Sequence, residues 1–271
     1  MKFKLYLFLI LSLLFSSINT FAINPSRDYV ITPDSLKIPH TQQFINSTSN
    51  TQLNSWSFIH SDASKPLIII SYGDSGNMSG VLFQARALFE AGYNVVTYDY
   101  RGFGKSSDFN MNKDQLYYNE FKQDLSAVIR YSKHAYHPQK IYLFGLSMGS
   151  MISMLVSEKE KVDGLILDSF VTNPFAIKDR VEKMKNRQLV LPKGAAEFSK
   201  KSKQSKLPIL IFQGAEDLFT TVKDAEEYKL ANSNAKIISC DCNHLQSFYK
   251  MTKQTLGDLY VQEIAAFTNL K

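Results

Sequence analysis

The sequence predicts an α/β protein, a mostly parallel central sheet flanked by helices. Three observations predict it. Six short, nearly continuous apolar runs recur, at 66–73, 93–100, 140–147, 162–169, 207–214 and 235–241. Helical patterns separate most of them, and a polar, Asn/Ser/Thr-rich stretch to about residue 60 precedes them all. Continuous apolarity is what a strand needs when helices cover both of its faces. Strand, helix and strand in repeated order give right-handed crossovers on one sheet.

Each element follows from its own pattern. "QQFIN" and "SWSFIH" alternate, as antiparallel edge strands do when one face is wet. In "GVLFQARALFEAG" (80–92), Leu82, Ala85, Leu88 and Phe89 recur at helical spacing and Gly92 supplies the stop. Further helices are predicted at 114–135, 148–159 and 221–233, with a last one from about Lys253 to Leu270. The segment from Val171 to Lys206 is longer than a crossover helix requires. It predicts a small cap at about 171–206 over the sheet edge. No internal repeat or low-complexity linker appears, and 271 residues at 44% hydrophobic content suffice for one core, so 23–271 reads as one domain.

The N-terminus, "MKFKLYLFLILSLLFSSINTFA", carries two lysines, an apolar run from Leu5 to Phe15, and then small and polar residues. That is the layout of a secretory signal peptide, with cleavage expected after Ala22, and it implies a periplasmic or secreted protein. The alternative is an uncleaved anchor, for which the run falls short of the ~20 residues that span a bilayer.

The only cysteines, Cys240 and Cys242, lie in "SCDCN". A bridge across one residue is not expected even in an oxidising compartment. With His244 they form Cys-x-Cys-x-His, but no second Cys/His pair completes a zinc site, so no metal is expected. The net charge of +6 is concentrated. Ten basic residues against three acidic ones between Lys178 and Lys206 give that segment +7, and the rest of the chain about −1. The basic segment is either a solvated face or a surface for anionic membrane or acidic substrate. No aromatic interleaving or nucleic-acid motif accompanies it, so nucleic acid is not expected.

Chemistry enters at "LFGLSMGSM" (143–151), where Ser147 stands in G-x-S-x-G between a buried strand and a helix. That setting holds a serine exposed on a strained turn at a helix N-terminus. A serine hydroxyl needs a base. Of His40, His60, His134, His137 and His244, only His244 follows a late sheet strand. The base needs an acid to hold its tautomer. Asp217, in "GAEDLFT" after the preceding strand, is the first candidate, and Asp168, closing "LILDS" one strand earlier, is the second. An oxyanion hole would draw on the N–H groups of Met148 and of Asp74, in "YGDSGNMSG". That glycine-rich loop lacks the G-K-[ST] and G-x-G-x-x-G patterns of nucleotide sites.

With "VVTYDYRGFGKSS" (95–107) as its most specific stretch, supported by "YGDSGNMSG", "GLSMGS", "FQGAEDLFT" and "NHLQSF", the sequence resembles the α/β-hydrolase superfamily. It is most similar to the small-cap branch of monoacylglycerol-lipase-like and Bem46-like, depalmitoylase-like serine hydrolases. The resemblance runs from about residue 33 to the C-terminal helix. It implies Ser147 as nucleophile, Asp217 as acid, His244 as base, Asp74 and Met148 as oxyanion donors, and no cofactor. It also implies a small-molecule, lipid or acylated ester or thioester substrate. Alternatives are a serine peptidase on the same triad, acyl transfer to another acceptor, and a non-catalytic binding protein of the fold. Two departures stand out: Tyr72-Gly73 replaces the usual His-Gly, and Asn243 rather than Gly precedes His244. The sequons at Asn46 and Asn77 matter only in a glycosylating host.

Overall fold

The structure is a computed structural model that describes residues 22–62, 65–185 and 188–270. The expected signal peptide, apart from Ala22, lies outside the described residues.

In chain order the strands are β1 (Asn24–Pro25), β2 (Thr41–Thr48), β3 (Thr51–Phe58), β4 (Leu67–Ser71), β5 (Ser75–Gly76), β6 (Asn94–Tyr98), β7 (Ile141–Leu146), β8 (Gly164–Asp168), β9 (Ile209–Gly214) and β10 (Ala235–Cys240). The helices are α1 (Leu82–Glu90), α2 (Glu120–Tyr136), α3 (Met148–Ser157), α4 (Pro174–Lys185), α5 (Ala195–Ser202), α6 (Val222–Ala231), α7 (Ser247–Lys250) and α8 (Asp258–Thr268). Eight strands form one sheet in the order β10-β9-β8-β7-β4-β6-β3-β2. Its β10-to-β6 part is parallel, and β3 and β2 extend it antiparallel; of these two only β2 is an edge strand, because β3 lies between β6 and β2 and its last six residues are buried. Every residue of β4, β6, β7, β8 and β9 is buried, which is why those runs are continuously apolar. β1 and β5 pair separately and tie the N-terminal segment to the loop after β4, where Asn24 N–H donates to Asp74 O at 2.8 Å.

Three expectations need correction. The helix predicted from residue 114 starts at Glu120, because the backbone of Asp114–Leu116 is engaged elsewhere. Leu116 N–H donates to Val190 O and Val190 N–H to Asp114 O, each at 2.9 Å, which holds the strand-like stretch extended. The last helix starts at Asp258 rather than near Lys253. The Asp258 carboxylate accepts the N–H groups of Lys253, Gln254 and Thr255, closing a turn in front of the helix instead of inside it. Cys240 and Cys242 are joined in a disulfide, with Cα atoms 5.5 Å apart. The chain closes a tight turn at the end of β10, where Cys242 N–H donates to Cys240 O at 2.9 Å, and this holds the two residues within the ordinary disulfide range. Their sulfurs are therefore bonded to each other rather than open to a metal.

The "DYRGFG" turn is built around two buried carboxylates. Arg101 and Asp124 form a buried pair at 2.6 Å. Asp99 accepts hydrogen bonds from Tyr72, Met78 N–H and Tyr29, and Gly104 turns so closely over it that a Cβ would lie 1.8 Å from Asp99 Oδ2. The Asn77 sequon side chain is buried and donates to Ser26 O and Asp28 O, so its amide is occupied by the fold.

Candidate active site

Ser147 sits between β7 and α3 with φ +50°, a strained left-handed conformation at the tip of the turn. The flanking glycines have a steric reason. A Cβ on Gly145 would lie 2.5 Å from Gly149 O, and one on Gly149 would lie 2.0 Å from Ser71 O. The α3 helix begins at the next residue, so the N–H of Met148 is among the first, without an intrahelical acceptor, and the helix dipole points its positive end at Ser147.

Three residues that the sequence sets far apart meet here. His244 Nε2 lies 2.9 Å from Ser147 Oγ, and His244 Nδ1 lies 2.7 Å from Asp217 Oδ2. Because a carboxylate only accepts, Nδ1 carries the proton, which leaves Nε2 to accept from the serine hydroxyl. Asp217 is buried among donors: Thr220 Oγ1 at 2.6 Å on Oδ2, and the N–H groups of Phe219 and Thr220 on Oδ1 at 2.9 and 3.0 Å. Burial alone would raise its pKa. The hydrogen bond and charge of His244, with the Thr220 bonds, outweigh burial and hold the carboxyl below its ordinary value. Asp217 is thus charged at neutral pH. His40, His60, His134 and His137 do not join this group. His60 Nε2, for example, pairs with Phe89 O at 3.0 Å.

Asp168, the second acid candidate, lies behind the site rather than on the imidazole nitrogen. Its side chain accepts from Tyr260, Ser247 and Ser169, and burial pushes its pKa up to about 6. Asp74 and Met148 both line the pocket that contains Ser147 and His244. Gly73 brings the loop after β4 close to Ser147: a Cβ there would sit 3.7 Å from Ser147 Cβ. The Tyr72 departure has a structural counterpart, since its hydroxyl donates to Asp99 and its carbonyl accepts from Tyr100. Asn243 is also held, its amide donating to Glu216 at 3.2 Å.

The pocket encloses about 160 Å³ and is lined mainly by apolar side chains, including Met151, Val171, Ile177, Val181 and Leu189. Ile177 and Val181 come from α4. Arg180 of the same helix forms a two-pronged pair with Asp224 and donates to Phe219 O, so α4 is fastened to the loop that carries Asp217. Phe219 meets the His244 ring edge-on at 5.4 Å. Ala22, the last residue of the expected signal peptide, also lines the pocket. Sequence reasoning missed Thr220, although its position three residues after Asp217 is the spacing at which an Asp side chain and a nearby backbone close a local turn. It also missed Tyr260, for which no local signal exists.

Comparison with known proteins finds relatives of this chain. The family described as serine aminopeptidase, S33, matches residues 63–193. The uncharacterized protein YfhR of Escherichia coli O157:H7 is 27% identical over 227 residues, covering 80% of this chain and 76% of that protein. Lysophosphatidylserine lipase ABHD12 of Danio rerio is 31% identical over 123 residues, 41% of this chain and 29% of that protein. Among solved structures, the Pyrococcus furiosus esterase Pf2001 superposes with a TM-score of 0.70 at 22% identity, covering 91% of this chain and 98% of that one. A parallel sheet with this strand order, a G-x-S-x-G turn at the end of β7 and these relatives converge on one assignment: the chain has the α/β-hydrolase fold, of the esterase- and lipase-like kind.

Proposed function

We propose that the protein is an exported serine hydrolase that cleaves carboxylic ester or thioester bonds through an acyl-enzyme on Ser147. The observation that carries this reading is the continuous hydrogen-bonded line Ser147 Oγ, His244, Asp217, at 2.9 and 2.7 Å. His244 takes the serine proton as Oγ attacks the carbonyl carbon. The oxyanion settles on the N–H groups of Asp74 and Met148, and His244 returns the proton to the leaving alcohol or thiol. Water, activated by the same histidine, then releases the acid. Asp217 keeps the imidazole in the reactive tautomer and balances its positive charge.

The segment between β8 and β9 acts as the cap, its α4 side chains forming one wall of the acyl pocket. A cavity of about 160 Å³, below the ~300–1,000 Å³ usual for sites of drug-sized ligands, favours short to medium acyl chains. The N-terminal lysines and apolar run support export, as does the Cys240–Cys242 disulfide, which fits an oxidising compartment. A peptidase is the second reading, favoured by the description of the matching family.

The test is labelling by a fluorophosphonate probe, followed by turnover of p-nitrophenyl esters of rising chain length and of aminoacyl p-nitroanilides. Wild type should label and cleave esters, and Ser147→Ala and His244→Ala should do neither. A folded, unlabelled wild type would sink the hydrolase reading, and preference for the anilides would select the peptidase. N-terminal sequencing of the exported protein tests cleavage after Ala22.

A further inference from the structure

A second, larger cavity, about 580 Å³, lies beside the catalytic pocket. The paired stretches around Leu116 and Val190 form the wall between them. Leu116 and Leu189 line the catalytic side, and Tyr117 and Lys193 line the other. The second cavity has a different character. Five cationic side chains reach it, Lys122 and Arg130 from α2, Lys159 after α3, and Lys193 and Lys201 from the α5 region, against two carboxylates, Glu158 and Glu197.

Two of the cations are already paired: Arg130 with Glu160 at 2.8 Å and Lys201 with Glu197 at 2.7 Å. Among the described residues no carboxylate lies within 4.0 Å of Lys122, Lys159 or Lys193. Lys122 is half-buried, and burial with the charges of Lys159 and Lys201 outweighs the opposing charges of Glu158 and Glu120 and lowers its pKa. Like charges are therefore brought together in a concave, partly desolvated place, an arrangement that stores unfavourable energy until an anion offsets it. The α5 helix starts at Gly194 on the cavity wall, where the N–H groups of Ala195 and Glu197 already donate to Pro192 O and Gly194 O, each at 3.2 Å, so the lysines rather than the helix end give the cavity its anion-binding character.

We propose that this cavity binds a phosphate group, held by Lys122, Lys159 and Lys193. Phosphate fits better than a single carboxylate because three ammonium groups without a carboxylate partner call for more than one negative charge and several acceptor oxygens. Bound there, the anion bridges α2, the end of α3 and the α5 part of the cap. It enters no catalytic step and does not rest on the hydrolase reading.

The experiment is isothermal titration of the Ser147→Ala protein, at low ionic strength, with inorganic pyrophosphate. A parallel arm measures sedimentation with phosphatidylcholine vesicles with and without phosphatidate. Lys122→Glu/Lys159→Glu is compared with Lys223→Glu/Lys229→Glu, an equal charge change on α6. The expected result is saturable binding that the first pair weakens at least tenfold and the second leaves within twofold. Binding of pyrophosphate identifies a free phosphate compound as sufficient. Binding only of phosphatidate vesicles, with the same dependence on Lys122 and Lys159, identifies a lipid headgroup. No saturable binding of either probe, or equal weakening by both pairs, overturns the proposal. If circular dichroism shows that the first pair is unfolded, Lys122→Gln/Lys159→Gln takes its place under the same criteria.

Discussion

The N–H of Ser147 donates to the carbonyl of Asp168 at 3.0 Å. The next residue, Ser169, accepts the N–H of Leu245 on its hydroxyl, also at 3.0 Å. The end of β8 thus braces both the turn that carries Ser147 and the loop carrying His244. The brace is strained at each point: Ser147, Ser169 and Leu245 have φ of +50°, +53° and +59°. Strained residues of this kind persist only where the surrounding structure over-determines them, and here they keep His244 within reach of the Ser147 hydroxyl.

Ser169→Ala and Ser169→Gly separate that brace from general stability. Glycine relieves the left-handed backbone and alanine does not, so the glycine variant should melt higher than the alanine variant. Both lose the acceptor for Leu245 N–H, so both should show a similarly reduced kcat with KM little changed. Thermal melts and ester kinetics check this. If activity instead follows melting temperature, Ser169 has no part in placing His244.

The buried carboxyl of Asp168 gives a pH-dependent stability of known sign. Its pKa in the fold is about 6, against about 3.9 in an unfolded chain. Between those values the folded state holds the proton more tightly. Its contribution is therefore present at low pH and is lost as pH rises through about 6, a change of roughly 3 kcal/mol. Denaturant melts of wild type and Asp168→Asn at pH 4 and pH 7 should differ by that much, with wild type losing ground at the higher pH. A pH-independent difference would place the carboxyl pKa near its ordinary value.

The catalytic reading predicts unequal effects of the two acids. Asp217→Asn presents an amide to His244 Nδ1 and favours the wrong tautomer, so kcat for esters should fall about 10⁴-fold. Asp168→Asn should cost far less. A reversed order in steady-state kinetics would transfer the acid's role to Asp168.

Arg101 and Asp124 are both buried, and burial outweighs the arginine's contacts, leaving the Asp124 carboxyl above its ordinary pKa. Arg101→Met leaves a buried charge without its partner and should cost about 3–5 kcal/mol. Arg101→Met/Asp124→Leu should recover much of that loss in urea unfolding. Failure of the double variant to recover any would mean that the pair also holds the turn by shape.

The disulfide closes a very short loop, so reduction should lower stability by only about 1–2 kcal/mol. Alkylation without reductant should leave the protein's mass unchanged, and alkylation after reduction should add two groups, one for each cysteine. Adducts without reduction would show that the thiols are free.

Much of this was legible along the chain because the signals are local. A strand covered on both faces must be apolar throughout, so β4, β6, β7, β8 and β9 announce themselves. Steric need announces Gly145 and Gly149, since close backbone approach tolerates no Cβ. The order Ser147, Asp217, His244 is readable for the same reason: each lies just after a recognisable strand. What pairs across long separations has no such sign. The helix predicted at 114 was displaced by hydrogen bonds to Val190, and the Cys240–Cys242 bond depended on the tight turn that closes the end of β10.

The sequence by itself determined the α/β architecture, the G-x-S-x-G turn and the candidate nucleophile, acid and base, because periodicity and glycine spacing are properties of neighbouring residues. Only the tertiary structure decided which of two carboxylates meets His244, that Asp168 and Ser169 brace the elbow from behind, and that basic residues of α2, of the loop after α3 and of the cap gather around one cavity. Those outcomes depend on which strand ends and helix faces the sheet brings together, and hydrogen bonds and charges act through distance in space rather than along the chain.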